Sequence, residues 1–237
     1  MNELDRPIWH ALANRQHGFA QGTALALRFD PAVSPFAACR DNEPASLAAL
    51  AKLVPEAGML VLLQADEAPV PQDCEPALVA RGVQMLFQEF RPSKLEHAAI
   101  DLGAADVDEM VELANLTRPG PFLAGTARLG RFVGFRVRGR LAAMVGERLK
   151  FGSYTEVSAV CTHPDFRGRG MAAQLSSLVI ERILARGERP FLHAFADNHQ
   201  AIRLYEQLGF TLRCDMNVLA IAPRGRPAET SVLPHVH

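Results

Sequence analysis

The rhythm of apolar positions divides the chain at about residue 98. Beyond that point the pattern predicts one element after another. A strand over 98–102 precedes Val107, Met110, Val111 and Ala114, which recur at helical spacing with Asp108, Glu109 and Glu112 on the opposite side. Asp106 stands where a cap for that helix belongs. Thr117-Arg118-Pro119-Gly120-Pro121 breaks the chain ahead of a short helical piece over 122–129. Strands follow over 131–137 and 141–148, joined by a hairpin turn at Arg138-Gly139-Arg140. A glycine-containing loop at 151–154 then leads into a central strand over 157–162. Ala172, Leu175, Leu178, Val179 and Ile183 stripe the next helix, which Gly187 ends. A buried strand over 190–196 begins with Pro190. Asn198 caps a helix faced by Ala201, Leu204, Tyr205 and Leu208, Gly209 stops it, and 210–221 supplies a last strand.

The first 97 residues have another texture. Proline is dense there, which keeps elements short. A short helix over 45–53 and strands over 59–64 and 83–89 are predicted, with a proline-rich loop at 66–76. Trp9-His10 reads as part of an amphipathic helix that anchors the terminus. The expected organisation is a small α/β domain or half-sheet over 1–97, a second α/β domain over 98–222, and a tail over 223–237 with little to bury.

Composition narrows the function classes. Nearly half of the 237 residues are apolar, enough for a sizeable core, and with a net charge of −1 nothing global argues for nucleic acid or an acidic membrane surface as partner. Cys39, Cys74, Cys161 and Cys214 are scattered without metal-ligand spacing, as expected of buried thiols in a reducing compartment. The first residues carry two acids and no apolar run, unlike a signal peptide. No uncharged stretch approaches the length of a membrane span. The expectation is a soluble cytoplasmic protein without a metal.

One stretch promises chemistry. The strand over 157–162 runs into His163-Pro164-Asp165-Phe166, then Arg167-Gly168-Arg169-Gly170, then a helix beginning Met171-Ala172. Glycines allow close backbone approach, arginines add positive charge, and a helix start offers unsatisfied N–H groups, so the segment reads as an anion cradle for a pyrophosphate. Gly168-x-Gly170-x-x-Ala173 fits the dinucleotide fingerprint. However, that motif should follow its strand directly and precede an acid about twenty residues on. Here four residues intervene, and His193 stands at that distance from Ala173.

Arg167-x-x-Gly170-x-Ala172 resembles instead the phosphate loop of the GNAT superfamily of acetyl-CoA-dependent N-acetyltransferases. Asn198-x-x-Ala201-x-x-Leu204-Tyr205-x-x-Leu208-Gly209-Phe210 resembles the last block of that superfamily, in the same order and at a similar separation. The resemblance covers about 98–222. It implies a mixed, mostly antiparallel central sheet flanked by helices, with acetyl-CoA as cosubstrate and no metal. On the matching positions it implies that Arg167, Gly168, Arg169, Gly170, Met171 and Ala172 hold the coenzyme phosphates. Val160 and Thr162 would pair with the pantetheine arm, and Asn198 would contact it from the other side. Tyr205 would be the general acid for the leaving thiolate, and a backbone N–H near Val160 would meet the oxyanion. Glu156 matches a frequently used base, which partial burial would raise toward neutrality; His193 is the alternate. The implied reaction is direct transfer to a primary amine, with a non-catalytic acyl-CoA-binding module as the alternative. The acceptor, a small-molecule or protein amine, is not legible, nor is the oligomeric state.

Overall fold

The computed structural model describes residues 2–89 and 98–225. Its strands are β1 (Ala20–Gly22), β2 (Ala26–Phe29), β3 (Ala37–Cys39), β4 (Leu60–Gln64), β5 (Cys74–Phe87), β6 (Ile100–Leu102), β7 (Phe132–Val137), β8 (Arg140–Phe151), β9 (Tyr154–Thr162), β10 (Arg189–Phe195) and β11 (Phe210–Pro223). The helices are α1 (Pro7–Ala13), α2 (Pro44–Ala51), α3 (Val107–Thr117), α4 (Met171–Ala185) and α5 (His199–Gln207). Strands β1, β2 and β3 make a small sheet. The other eight run in the order β4-β11-β5-β10-β9-β8-β7-β6. Every pairing in the large sheet is antiparallel except that of β9 with β10. This is the mixed, mostly antiparallel sheet expected from the sequence.

The sheet runs across the expected boundary near residue 97. β5 lies between β10 and β11, pairing with β11 from Phe210↔Phe87 to Pro223↔Cys74. Helices α4 and α5 cover one face, burying Leu175, Val179, Ile180 and Ile183 against Val83, Met85, Val145, Val157 and Leu192. On the other face, Ile8, Ala11 and Leu12 of α1 pack with Phe29, Phe36, Val61, Phe151 and Phe191. Beside them Met110 and Leu113 of α3 pack on Phe132, Met144 and Cys161.

Local chemistry explains most element ends. Arg138 and Gly139 both take positive φ in the turn between β7 and β8, the geometry a two-residue hairpin requires. Gly187 (φ 73) stops α4, its N–H donating to the Leu184 carbonyl at 2.9 Å. Three local expectations change. The loop at 151–154 shrinks to Gly152-Ser153, because β8 runs on to Phe151 and β9 starts at Tyr154. The helical piece at 122–129 is a 3-10 turn, Ala124–Leu129. Asp106 does not cap α3; one oxygen accepts from the Gly103 amide and the other from Arg136. Most of the tail over 223–237 lies outside the described residues.

Candidate active site

The anion cradle forms where β9 gives way to α4. After Thr162, His163 starts a 3-10 turn (Pro164–Phe166), its Nδ1 accepting from the Asp165 amide at 3.2 Å. Gly168 (φ 77) and Gly170 (φ 68) then occupy left-handed conformations that a Cβ strains. No side chain caps α4, whose first intrahelical bond runs from Gln174 N–H to the Gly170 carbonyl. The amides of Met171, Ala172 and Ala173 are therefore left without helical acceptors. Arg167 and Arg169 are exposed beside them, with the Arg169 guanidinium 5.3 Å from the centre of the Phe166 ring.

Next to the cradle the sheet opens. β9 and β10 pair only at Arg189↔Tyr154, Pro190↔Thr155 and Phe191↔Glu156. The two strands then part, and a cavity of about 650 Å³ occupies the gap. Val160, Thr162, the loop from Arg167 to Ala172, Asn198 and Tyr205 all line it, so the structure brings these predicted residues together. A bulge at Ala159 (φ 51) sets the phase of β9: Ser158 opposes Gly146 and Cys161 opposes Met144. Val160 consequently joins the α4 and α5 side, while Ala159 and Cys161 join the α3 core. The Thr162 Oγ1 is buried with no hydrogen-bond partner among the described residues. Asn198 caps α5, its Oδ1 accepting from the Ala201 amide at 3.1 Å, which leaves its NH₂ for another partner. Tyr205 is buried (7% exposed), and burial pushes its hydroxyl pKa up, so the group is a neutral donor at physiological pH.

The cavity continues through the gap to the other face of the sheet. There its walls are Phe36, Val61, Leu63, Leu78 and Val218, four of them from the first 97 residues. Arg148 and His193 add the polar groups on that side. The Arg148 guanidinium lies 4.8 Å from the centre of the Phe36 ring and donates to Glu156 twice, from Nε (2.8 Å) and Nη2 (2.7 Å). Glu156 also accepts from the Leu149 amide at 3.2 Å and lies 2.7 Å from His193 Nδ1. His193 Nε2 is 2.9 Å from Gln84 Nε2, which donates to the Leu4 carbonyl, and Gln84 Oε1 accepts from Arg213, which meets Asp5. The row Arg148, Glu156, His193, Gln84, Arg213 takes one residue from each of five neighbouring strands.

These surroundings correct one sequence reading. Glu156 is not a carboxyl raised toward neutrality. It is fully buried, and although burial alone would raise its pKa, the attraction of Arg148, its hydrogen bonds and His193 outweigh burial and lower it to about 2. Arg148, which the sequence did not single out, lines the cavity and is 11% exposed. A signal for it existed, since opposite charges at 148 and 156 flank the turn at Gly152. The acids on α3 do not face the cavity either: Glu109 pairs with Arg136, as does Asp106 at the helix start. Among the described residues no cluster of His, Cys, Asp and Glu suits a metal, and no helix is long and apolar enough to cross a membrane. The four cysteines are free thiols, Cys161 buried and pushed up to about 12.

A glycine cradle at a helix start beside a splayed parallel strand pair is the arrangement that the resemblance to GNAT acyltransferases implies, and known relatives bear the class out. The chain is 41% identical to a protein of the GNAT family from Novosphingobium aromaticivorans, assigned as an acetyltransferase, over 94% of this chain and 99% of that one, with a TM-score of 0.88. The chain belongs to the GNAT family. Residues 132–219 match the family model for FR47-like proteins. A GCN5-related N-acetyltransferase from Kribbella flavida shares the fold, with a TM-score of 0.61 and 15% identity over 92% of this chain and 96% of that one. A 61-residue segment, 25% of this chain, is 34% identical to the mycothiol acetyltransferase of Corynebacterium aurimucosum and spans only 20% of that protein.

Proposed function

We propose that the protein is an acetyl-CoA-dependent N-acetyltransferase that acylates a primary amine directly, without an acyl-enzyme. The observation that carries this reading is the convergence on one cavity of a cationic glycine cradle, an unpaired strand edge and a buried neutral tyrosine. The residues fit the coenzyme. Left-handed Gly168 and Gly170 let successive amides converge on a diphosphate, with Arg167 and Arg169 adding charge. The backbone of Val160 and Thr162, unpaired on the β10 side, and the free NH₂ of Asn198 suit the amides of a pantetheine arm. When bound, acetyl-CoA supplies the thioester that makes the acyl group transferable.

The protein's own groups then divide the work. A β9 amide near Val160 stabilises negative charge developing on the acyl oxygen. Tyr205 donates its proton to the departing sulfur, a task its burial suits by keeping the hydroxyl neutral. Glu156, its pKa lowered to about 2, is a weak base at neutral pH. We assign it the positioning of Arg148 and His193, with water carrying the amine proton away. No cysteine is suited to covalent transfer, since Cys161 points away from Val160 and burial holds its thiol protonated.

The test is a panel of primary amines assayed by release of free CoA thiol, with Tyr205→Phe beside the wild-type enzyme. Expected is turnover of at least one amine and a loss of about 100-fold or more in kcat for the variant, with acetyl-CoA affinity kept. Equal kcat would remove Tyr205 from the reaction. Coenzyme binding without thiol release from any amine would favour a binding module instead.

A further inference from the structure

The acceptor half of the cavity has a chemical character that narrows its occupant. Among the described residues, the charged side chains lining the cavity are Arg118, Arg148, Arg167, Arg169 and Arg203, with no Asp or Glu. Glu156 lies behind Arg148, its own charge already spent on that guanidinium and on His193. With Arg167 and Arg169 given to the coenzyme phosphates, a polycationic acceptor would still meet the Arg148 guanidinium with no carboxylate among the described lining residues to receive it, at a cost that burial magnifies.

Arg148 itself is arranged to receive an anion. A guanidinium has five N–H groups, and Glu156 takes one from Nε and one from Nη2. The Nη1 end is turned toward the Thr117–Pro121 loop, where a Cβ built on Gly120 would lie 3.9 Å from it. The side chain is 11% exposed, and Glu156 and the Phe36 ring fix its plane. A rigid, partly desolvated fork of this kind suits a carboxylate. The Phe36 ring lies against it, and Val61, Leu63, Leu78 and Val218 line the same cavity.

Resting on the N-acetyltransferase reading above, we infer that the acceptor is a small amine with a carboxylate on an apolar body, such as an apolar amino acid. The carboxylate lies against Arg148, the apolar body against the wall supplied by the first 97 residues, and the amine points through the gap between β9 and β10. The reading makes Arg148 a specificity-determining residue and gives the amino-terminal half a function in substrate choice.

The test is calorimetric titration of L-leucine, its decarboxylated counterpart isopentylamine, and spermidine into the enzyme–CoA complex, repeated as rates with acetyl-CoA. Expected is leucine binding at least about tenfold tighter than isopentylamine, the scale of one hydrogen-bonded charge pair, with spermidine weaker than leucine. Removing the charge pair together, as Arg148→Met with Glu156→Gln, should cut the leucine preference to within about twofold of unity. Acetyl-CoA affinity would report that this variant is folded. Should it not fold, Arg148→Lys keeps the countercharge but loses the planar fork, and should lower the preference several-fold. Equal binding of leucine and isopentylamine, tighter spermidine binding, no leucine binding to a complex that forms, or a preference unmoved in the folded variant would each overturn the inference. Failure of the underlying reading looks different, because the wild-type protein would then bind no acetyl-CoA, or bind it and release no thiol with any amine of the panel.

Discussion

Replacing Glu156 with Gln would test whether this buried carboxylate is a structural anchor. The side chain is fully buried and accepts two bonds from Arg148 and one from the Leu149 amide, with His193 at its other oxygen. Its pKa falls from 4.5 to about 2 in the folded protein. At 1.36 kcal/mol per unit, that depression corresponds to about 3 kcal/mol of stability at neutral pH. Breaking a buried ion pair from one side costs a similar 3–5 kcal/mol or so, because the stranded guanidinium stays buried. The sign follows from the direction of the shift. A carboxylate with a depressed pKa stabilises the fold above its unfolded value of about 4.5 and loses that contribution as pH falls toward 2. Urea unfolding, followed by far-ultraviolet circular dichroism and by the fluorescence of Trp9, would be measured from pH 7 to pH 3. The variant should be less stable by about 3 kcal/mol at pH 7, with the gap narrowing toward pH 3 as the carboxyl of the unfolded wild-type chain protonates while the folded one stays ionised. A variant within about 0.5 kcal/mol of wild type at pH 7, or a gap independent of pH, would refute the reasoning.

Two further substitutions probe the cradle and the fold. Arg169→Glu, at an exposed position beside Gly170, should weaken acetyl-CoA binding by about tenfold at low salt and less at high salt, since exposed charges are screened; an unchanged dissociation constant would contradict the phosphate assignment. Gly209→Ala should cost more than about 3 kcal/mol or give insoluble protein, because the residue has φ 98 and a Cβ would lie 1.7 Å from the Glu89 carbonyl oxygen. Wild-type melting of that variant would refute the close approach between α5's end and the end of β5.

The sequence was most informative where local rules decide structure. Gly168, Gly170 and Asn198 announce their conformations by residue type, and the stripe from Leu175 to Ile183 announces a helix face. Tyr205 was legible through its place in a recurring block. What stayed hidden depends on pairing across long separations. Pattern alone predicted β4 and, as 83–89, only the last part of β5; it showed neither that β5 starts at Cys74 nor that it sits between β10 and β11. The short strands β1, β2 and β3 carry three or four residues each, too few for alternation to register. For the same reason the cavity wall at Phe36 and Leu78 was invisible, since these residues reach the cavity only through tertiary packing. Glu156 was misjudged because a pKa depends on partners: position named the residue, whereas Arg148 and His193 decide its protonation.

The place of β5 has a consequence for synthesis. It leaves the ribosome well before β10 and β11, the two strands it must lie between. Until those emerge, a fourteen-residue strand with buried positions such as Met85 and Gln84 has both edges open. Loop closure over such distances is slow, so the nascent chain passes through a long interval in which it is prone to stick to other copies. Expression at lower temperature, or with holdase chaperones in excess, should raise the yield of folded protein more than it does for enzymes whose sheets assemble from sequential hairpins.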